Sequence, residues 1–258
     1  KKLGLQRAEF AASGAAPIAP EVLKFFMSIG VPLFEAYGMT ENCAYATSNS
    51  PENIKIGTVG IPAHGVELKL ADDGEILIRS GGVFKGYFKD DQATSETIDK
   101  DGWLHTGDVG IYEGDFVKII DRKRDIIITS GGKNVSPSEI ENKIKVSPFI
   151  KEAIVIGDRR KFLSVLIGIE FDTVSNWALR KNIPHTTYRD LSEKQEVKDL
   201  VWKEISRANE LTSSLEVREF RMIPKELDHE EGELTATQKV KRNVLIDQFS
   251  DLIEEMYS

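Results

Sequence analysis

Two adjacent side chains, Thr40 and Glu41, carry oxygen atoms of the kinds that bind phosphate groups and divalent cations. The Thr40 hydroxyl can contact a phosphate oxygen, and the Glu41 carboxylate is a hard ligand of the type that Mg²⁺ takes while it keeps several waters. In isolation the pair favours a structural role, in which Thr40 caps a helix that runs into residues 42–46. Capping and ligation are compatible, so the pair predicts a phosphate or Mg²⁺ site alongside a helix start.

Three further polar segments follow at long intervals: GWLHTGD at residues 102–108, DRKRD at 121–125 and TATQKVKR at 235–242. The Asp108 carboxylate can accept two hydrogen bonds from a vicinal diol, and Arg122 and Lys239 bring positive charge. Each also has an ordinary interpretation. Asp108 suits a turn and Arg122 a solvated surface, while Lys239, Lys241 and Arg242 together suit a solvated basic patch or a short targeting signal.

Together with YGMTE at residues 37–41, these segments form an ordered series that resembles the core motifs of the adenylate-forming superfamily, and most of all a long-chain fatty acyl-CoA synthetase. The resemblance extends from about Ser13 to about Phe249, and four motifs in order are much more specific than any one. It implies an AMP-forming long-chain fatty acid–CoA ligase with two half-reactions. A carboxylate attacks the α-phosphate of ATP, and a thiol, usually that of coenzyme A, then displaces AMP.

The same resemblance assigns roles to individual residues. It places adenine between the small residues after Ser13 and the ring of Tyr37, and the ribose hydroxyls on Asp108 and Arg122. Glu41 would hold Mg²⁺, and Lys239, with Thr40 and Glu41, would be catalytic. The nucleotide-binding residues that it implies are Gly14, Ala15, Ala16, Glu35, Ala36, Tyr37, Gly38, Met39, Thr40, Asp108 and Arg122.

The resemblance also implies that a C-terminal domain swings about a hinge between the half-reactions, removing Lys239 from the site and presenting another face. By position the hinge is Arg124. The incoming face is the segment of Ser130, Gly131 and Gly132, whose paired glycines let the backbone approach the pantetheine arm of coenzyme A. The ordinary interpretation, a β-hairpin turn, holds on either view. A contact of Lys133 with a coenzyme A phosphate is a further expectation.

The superfamily carries a Ser/Thr/Gly-rich phosphate loop that ends in Pro-Lys-Gly before the YGMTE segment, and this sequence has none. We therefore expect the chain to be the C-terminal part of a larger enzyme whose N-terminal half is a missing partner. Two alternatives stay open. One is an acyl-AMP ligase that delivers to a carrier protein, and the other is a catalytically inert folded fragment that acts as a binding module.

Composition limits the other partners. The chain has 258 residues with 34 Lys and Arg against 42 Asp and Glu, a net charge of −8, which argues against nucleic acid because phosphate backbones need a basic face. The single cysteine, Cys43, forms no intrachain disulfide, which fits a cytoplasmic setting. The four histidines lack metal-ligand spacing. A long-chain substrate leaves peripheral membrane contact open, although no basic amphipathic helix demands it.

We expect α/β and α+β architecture in two domains. Residues 1–123 form the C-terminal portion of the large adenylation domain, including a β-rich subdomain, and residues 124–258 form a small mobile α+β domain with the catalytic lysine. Hydrophobic and turn patterns predict helices at residues 20–29, after Ser136, after a Ser192–Gln195 cap and over 240–253. They predict strands at 31–34, 67–70, 75–79, 116–120, 126–128, 153–157, 162–170 and 217–223.

Overall fold

A computed structural model of the chain describes residues 4–5, 7–211, 216–236 and 238–258. The chain divides into two compact units, residues 1–125 and residues 126–258. Each unit combines helices with at least one sheet of three or more strands. Among the described helices, none is long and apolar enough to cross a membrane.

The first unit begins with a small sheet in which a parallel pair is joined by a helix. Its strands, in spatial order, are β1 (Ala11–Ser13), β2 (Leu33–Tyr37), β3 (Thr47–Ser48) and β4 (Ile61–Pro62). The first pair is parallel and the other two are antiparallel. A parallel pair needs a crossover, and helix α1 (Pro20–Ser28) supplies it.

Helix α1 confirms the predicted boundaries to within one residue. Pro20 occupies the first turn, where its missing N–H leaves no hydrogen bond unmade. At the other end Gly30 has a φ of 82°. The Gly30 N–H donates to the Met27 carbonyl at 3.0 Å, and the Val31 N–H donates to the Phe26 carbonyl at 2.9 Å. This pair of bonds is the Schellman ending, which favours glycine.

The prediction of a helix over residues 42–46 is wrong. The structure has only a 3₁₀ turn, Thr40–Asn42, and the side chain that caps it is Asn42, which accepts the Met39 N–H at 2.9 Å. Cys43 and Ala44 then have φ values of 58° and 56°. Two successive left-handed residues cannot continue a right-handed helix, so the chain turns back toward β3.

The second sheet of the first unit confirms the predicted β-rich subdomain. Its four antiparallel strands are β5 (Val66–Leu70), β6 (Glu75–Ser80), β7 (Leu104–Glu113) and β8 (Phe116–Arg122), in that spatial order. Helix α2 (Asp91–Thr97) lies between β6 and β7 and is capped by Asp90, which accepts the Ala93 N–H at 2.9 Å. The turns at residues 71–74 and 113–116 contain Gly74 and Gly114, whose φ values of 82° and 71° are left-handed.

The second unit is built on a three-stranded sheet between two layers of helices. Strands β9 (Ile127–Ile128) and β10 (Asn134–Val135) form a hairpin before it, and helix α3 (Pro137–Ile144) follows with the predicted cap, Ser136. The sheet has the order β11 (Ile150–Ile156), β12 (Leu163–Ile169) and β13 (Val217–Met222). The remaining helices are α4 (Phe171–Arg180), α5 (Tyr188–Glu193), α6 (Gln195–Glu210), α7 (Arg242–Gln248) and α8 (Ser250–Glu255).

Strand β12 is central, as its continuous apolar sequence predicts, and all seven of its residues are buried. Alternation divides them between two cores. Val165 and Ile167 pack with residues of α3 to α6, whereas Leu166 packs with Leu245 and Phe249 from the C-terminal helices. The sheet therefore needs helices on both faces.

Two details of the predicted helices are wrong. Ser192 caps nothing: it lies inside α5, where its hydroxyl donates to the Arg189 carbonyl at 2.9 Å, and Thr187 caps that helix instead. A Lys194 ψ of 134° separates α5 from α6. The closing helix is divided at Phe249, although its apolar face is continuous and buried as predicted.

We predict that Leu166→Ala lowers the free energy of unfolding by about 2–5 kcal/mol, because Leu166 is fully buried and its removal leaves a cavity. Urea denaturation measures the change. Leu179→Ala is the matched control, since Leu179 is 62% exposed on α4 and its truncation should change little. Equal losses of unfolding free energy in both variants would show that the core formed by Leu166 and the C-terminal helices is not packed as described.

Candidate active site

Three residues that sequence analysis selected from three separate segments meet in the first unit. The Tyr37 hydroxyl, at the end of β2, donates a hydrogen bond of 2.6 Å to Oδ2 of Asp108 on β7. Arg122 lies directly opposite Asp108 in the β7–β8 pairing, with 3.7 Å between its Nε and Oδ1 of Asp108. One carboxylate is thus held between a phenol and a guanidinium.

This arrangement sets the protonation of both acids. Burial raises the pKa of Asp108, and the Tyr37 hydrogen bond and the Arg122 charge offset only part of that rise. Burial also raises the pKa of Tyr37, as does the adjacent Asp108 charge. The phenol therefore remains a donor at neutral pH. Tyr37 is only 8% exposed and packs in the core with Ile76 and Leu104, so burial holds its hydroxyl against Asp108.

The small residues after β1 lie against β2. Ser13 pairs with Glu35, and a Cβ on Gly14 would come within 3.2 Å of the Ala36 carbonyl oxygen. Ala15 has a left-handed φ of 66°, and Gly14, Ala15 and Ala16 are all exposed. The close approach of two backbones here leaves little room for larger side chains.

The segment after Tyr37 is fixed by backbone contacts. A Cβ on Gly38 would lie 2.3 Å from the Ala44 carbonyl carbon, so only glycine fits there. Met39 donates its N–H to Asn42, as described above. The turn then leaves the Thr40 side chain exposed at the surface.

Glu41 has a partner that sequence analysis missed. The Tyr87 hydroxyl donates to Oε1 of Glu41 at 2.8 Å, and the Glu41 carbonyl accepts the Phe84 N–H at 2.7 Å. Tyr87 and Phe84 both lie in the segment GGVFKGY at residues 81–87. Within the described ranges no group of three or more His, Cys, Asp or Glu side chains is arranged to hold a metal ion. Mg²⁺ sites commonly use one or two carboxylates together with substrate phosphates, and Glu41 suits that pattern.

In the second unit, Lys239 is exposed on a tight loop. Leu234 and Val240 form an antiparallel bridge, and the Thr235 N–H donates to the Lys239 carbonyl at 2.7 Å. The Thr235 hydroxyl oxygen accepts the Lys239 N–H at 3.0 Å. Thr237, a member of the same motif, lies outside the described residues.

A buried carboxylate, also missed from the sequence, anchors this loop. Glu233 is fully buried and accepts hydrogen bonds of 2.8 Å each from Lys225, from Gln248 and from the backbone N–H of Asp228. Burial alone would raise the pKa of Glu233, but these donors outweigh it, so the pKa is lowered. A Glu in an acidic stretch gives no sequence signal of such burial.

Arg242 is not part of a solvated basic patch, which corrects that interpretation for this residue. Its guanidinium donates to Oε1 of Glu141 at 2.6 Å and to the Val155 carbonyl at 3.0 Å. Arg242 therefore ties the start of α7 to α3 and β11. Lys241, by contrast, is exposed.

The remaining predicted positions lie around the boundary between the units and just after it. Arg124, whose side chain is 75% exposed, follows β8 by two residues, and the boundary falls after Asp125. Ser130, Gly131 and Gly132 form the turn of the β9–β10 hairpin, as expected, and Gly132 has a φ of 77°. A Cβ on Gly132 would meet nothing within 4 Å, so the turn is open.

Comparison with known proteins is consistent with these motifs. The family model described as AMP-binding enzyme matches residues 1–88, and the model described as AMP-binding enzyme C-terminal domain matches residues 124–258. The chain belongs to the AMP-binding enzyme family.

The most similar relatives of this AMP-binding enzyme chain include fatty acid ligases. It is 38% identical over 251 residues to "Long-chain-fatty-acid--CoA ligase FadD15" of Mycobacterium bovis, covering 96% of this chain and 42% of that protein. It is 32% identical over 279 residues to "Long chain acyl-CoA synthetase 7, peroxisomal" of Arabidopsis thaliana, covering 100% of this chain and 40% of that protein. The chain thus spans less than half the length of these curated relatives.

Solved structures confirm the expected fold class. The adenylation domain of a carboxylate reductase from Mycobacterium chelonae matches with a TM-score of 0.74 at 24% identity, over 96% of this chain and 38% of that one. An O-succinylbenzoate coenzyme A synthetase from Bacillus subtilis, solved with ATP and magnesium ion, matches with a TM-score of 0.66 at 26% identity, over 91% of this chain and 46% of that one.

One buried acid among the predicted nucleotide-binding residues lacks a full set of partners. Glu35 on β2 is 9% exposed, and its Oε2 has no hydrogen-bond partner among the described residues. Burial raises its pKa from 4.5 to about 7, against a smaller opposing effect of a hydrogen bond from the Gly57 backbone. The folded state therefore binds a proton that the unfolded state has already released between these two values.

We predict that the free energy of unfolding falls as pH rises from about 4.5 to about 7, because an acid with a raised folded pKa stabilises the fold only while protonated. Full ionisation of Glu35 costs about 3 kcal/mol. Glu35→Gln should remove this loss, which urea denaturation at pH 5 and pH 8 would measure. Glu21→Gln, an exposed change on α1, is the control and should leave the pH dependence as it is.

Proposed function

We propose that the chain is the C-terminal part of an AMP-forming long-chain fatty acid–CoA ligase, which activates a fatty acid with ATP to acyl-AMP and then to acyl-CoA. The observation that carries the proposal is the meeting of Tyr37, Asp108 and Arg122, since a carboxylate beside a guanidinium suits the two ribose hydroxyls of a nucleotide. The names of the relatives supply the fatty acid as substrate class.

In this proposal the nucleotide lies along β2 and the start of the following turn. Gly14, Ala15 and Ala16 lie close to the strand that carries Glu35, Ala36 and Tyr37, which leaves a backbone-lined place for a flat base. Gly38 and Met39 shape the turn, and the exposed Thr40 hydroxyl contacts a phosphate oxygen. Glu41 would hold Mg²⁺, which supplies charge neutralisation at the phosphate oxygens.

Lys239 is the proposed catalytic cation. As the carboxylate attacks the α-phosphate, negative charge grows on the phosphate oxygens, and a positioned ammonium stabilises it. The loop that Thr235 closes and Glu233 anchors presents this lysine on a short, restrained segment. Restraint lowers the entropy cost of placing a long side chain at the reacting centre.

The second half-reaction uses the other face of the C-terminal domain. We assign the hinge to Arg124 and the domains to residues 1–123 and 124–258. The open hairpin turn of Ser130, Gly131 and Gly132 would line the path of the thiol arm of coenzyme A, where Gly132 leaves the backbone uncovered. Lys133, which follows in the chain, would reach a phosphate of the same molecule.

The proposal includes a missing N-terminal half that supplies the phosphate loop and most of the acyl pocket. It also includes a cytoplasmic location with peripheral membrane contact, because long-chain fatty acids partition into bilayers. The competing possibility is a folded fragment that binds partners without catalysis. Because the chain covers only 42% of the FadD15 sequence, both possibilities are compared in the exchange assay.

We predict that Lys239→Ala in the full-length enzyme lowers fatty-acid-dependent ATP–pyrophosphate exchange by about 10²–10³-fold, since the variant lacks the cation that stabilises the developing charge. Lys241→Ala is the matched control, because Lys241 is an exposed lysine two residues away. It should retain exchange close to the unaltered level.

The same assay on the 258-residue chain alone should show almost no exchange. Full activity of Lys239→Ala would remove the catalytic assignment of this lysine. Absence of exchange in the full-length protein with every fatty acid tried would favour the non-catalytic binding module.

A further inference from the structure

Glu75, the first residue of β6, belongs to none of the motifs discussed above, yet its carboxylate contacts the segments that carry Asp108 and Arg122. It is 7% exposed. Oε1 accepts the Gly107 N–H at 2.9 Å, and Oε2 lies 3.3 Å from Nζ of Lys123 and 3.4 Å from Nδ1 of His105. One side chain thus contacts residues adjacent in sequence to both proposed ribose ligands.

These contacts close a ring. The Lys123 N–H donates to the Gly107 carbonyl at 2.8 Å, so Glu75, Gly107 and Lys123 are joined pairwise. Asp73 also pairs with the Lys123 ammonium, which keeps that cation beside the ring. Each member except Glu75 is covalently next to a proposed ribose ligand.

The strand at this point needs such support. The β6–β7 pairing shifts register between Glu75 and Leu77, and the β7–β8 pairing shifts between Val109 and Gly110. On β7 the first shift covers the stretch from His105 to Val109, so Gly107, with a φ of 71°, lies inside it and just before the second. A ladder interrupted on both sides does not fix a backbone alone. A side-chain acceptor for the Gly107 N–H therefore restrains the backbone that carries Asp108.

The charge state of Glu75 suits this task. Burial alone would raise its pKa, but the Gly107 N–H, His105 and Lys123 outweigh burial and lower the pKa. Glu75 is accordingly ionised at neutral pH. An ionised acceptor makes a stronger hydrogen bond to a backbone N–H than a neutral one does.

We propose that Glu75 is a positioning residue that holds Asp108 and Arg122 in place for the ribose of the nucleotide, through its bonds to Gly107 and Lys123. This inference rests on the proposed nucleotide site. Glu75 itself does not touch the nucleotide. It acts on the two chain segments that carry the ribose ligands, and the second of these leads directly to Arg124.

Three variants of the full-length enzyme test it. Glu75→Ala removes both contacts, Glu75→Gln keeps an acceptor for Gly107 but loses the ion pair, and Lys123→Met loses the ion pair while keeping the backbone bond to Gly107. Glu67→Gln is the control, because Glu67 pairs with Arg79 on the exposed part of the same sheet. If Glu75→Ala does not fold, the other two variants carry the test.

We expect Glu75→Ala to raise the KM for ATP about tenfold in the exchange assay, because small misplacements of positioning groups have effects up to about 10²-fold. The KM for fatty acid should stay unchanged. Glu75→Gln should recover part of the loss, and Lys123→Met should show an intermediate rise. A merely structural role would instead lower kcat through loss of folded enzyme and leave the KM for ATP unaltered.

Equilibrium binding of AMP, measured calorimetrically on the same proteins, distinguishes failure of the proposed ligase function from failure of the proposed role of Glu75. Active wild-type enzyme with an unchanged KM for ATP in all three variants would overturn the role of Glu75 and leave the proposed function intact. A wild type without exchange whose AMP binding is weakened by Glu75→Ala would reject the ligase and support the positioning role. A wild type that shows neither exchange nor AMP binding would overturn the proposed function and the role of Glu75 together.

Discussion

The hydrogen bond from Tyr37 to Asp108 joins the two sheets of the first unit at the point where their candidate site residues lie. Its ends are separated by 71 positions in the chain. Tyr37 ends a strand of the small sheet and also packs in the core of the larger one, with Ile76, Ile78 and Leu104. Because the phenol is buried and stays protonated, it gives Asp108 a permanent donor and turns its other oxygen toward Arg122. The proposed ribose site is therefore a consequence of how the two sheets pack.

Much of the fold could be predicted from the sequence, since it rests on local signals. Pro20 and Gly30 define α1, the buried run of β12 identifies a central strand, and Ser136 caps α3. The errors arise where a local signal competes with tertiary contacts. Ser192 resembles a cap, but its hydroxyl bonds to a carbonyl of its own helix. Thr40 begins a 3₁₀ turn that ends at two left-handed residues, Cys43 and Ala44. Backbone conformations of that kind leave no periodic pattern in a sequence.

In the candidate site, too, some residues could be predicted from local motifs and others could not. Tyr37, Asp108 and Arg122 are identified by motif, and the structure brings them together. The groups that restrain the Lys239 loop and the start of α7 in the second unit are not. Glu233 beneath the Lys239 loop and Arg242 against Glu141 belong to ordinary charged stretches. Glu233 differs from a solvated surface residue by its burial, and Arg242 by its hydrogen bonds to Glu141 and Val155. A charged side chain becomes part of the folded core when the chain removes it from water and supplies hydrogen-bond partners. For Glu233, one of these partners is Gln248, which lies on a different segment.

Two buried carboxylates, Glu233 in the second unit and Glu35 in the first, have opposite effects on the fold. Glu233 has a donor for each oxygen and is stabilised as an anion, so it fixes the loop that it anchors. Glu35 has one oxygen without a partner among the described residues, and burial makes its ionisation costly. A fully satisfied buried charge confers rigidity, whereas a partly satisfied one lowers stability. The loop that carries the proposed catalytic lysine is therefore fixed by a buried carboxylate with a full set of donors. Strand β2, which ends at Tyr37 and forms part of the proposed adenine site, contains the buried carboxylate whose ionisation lowers stability.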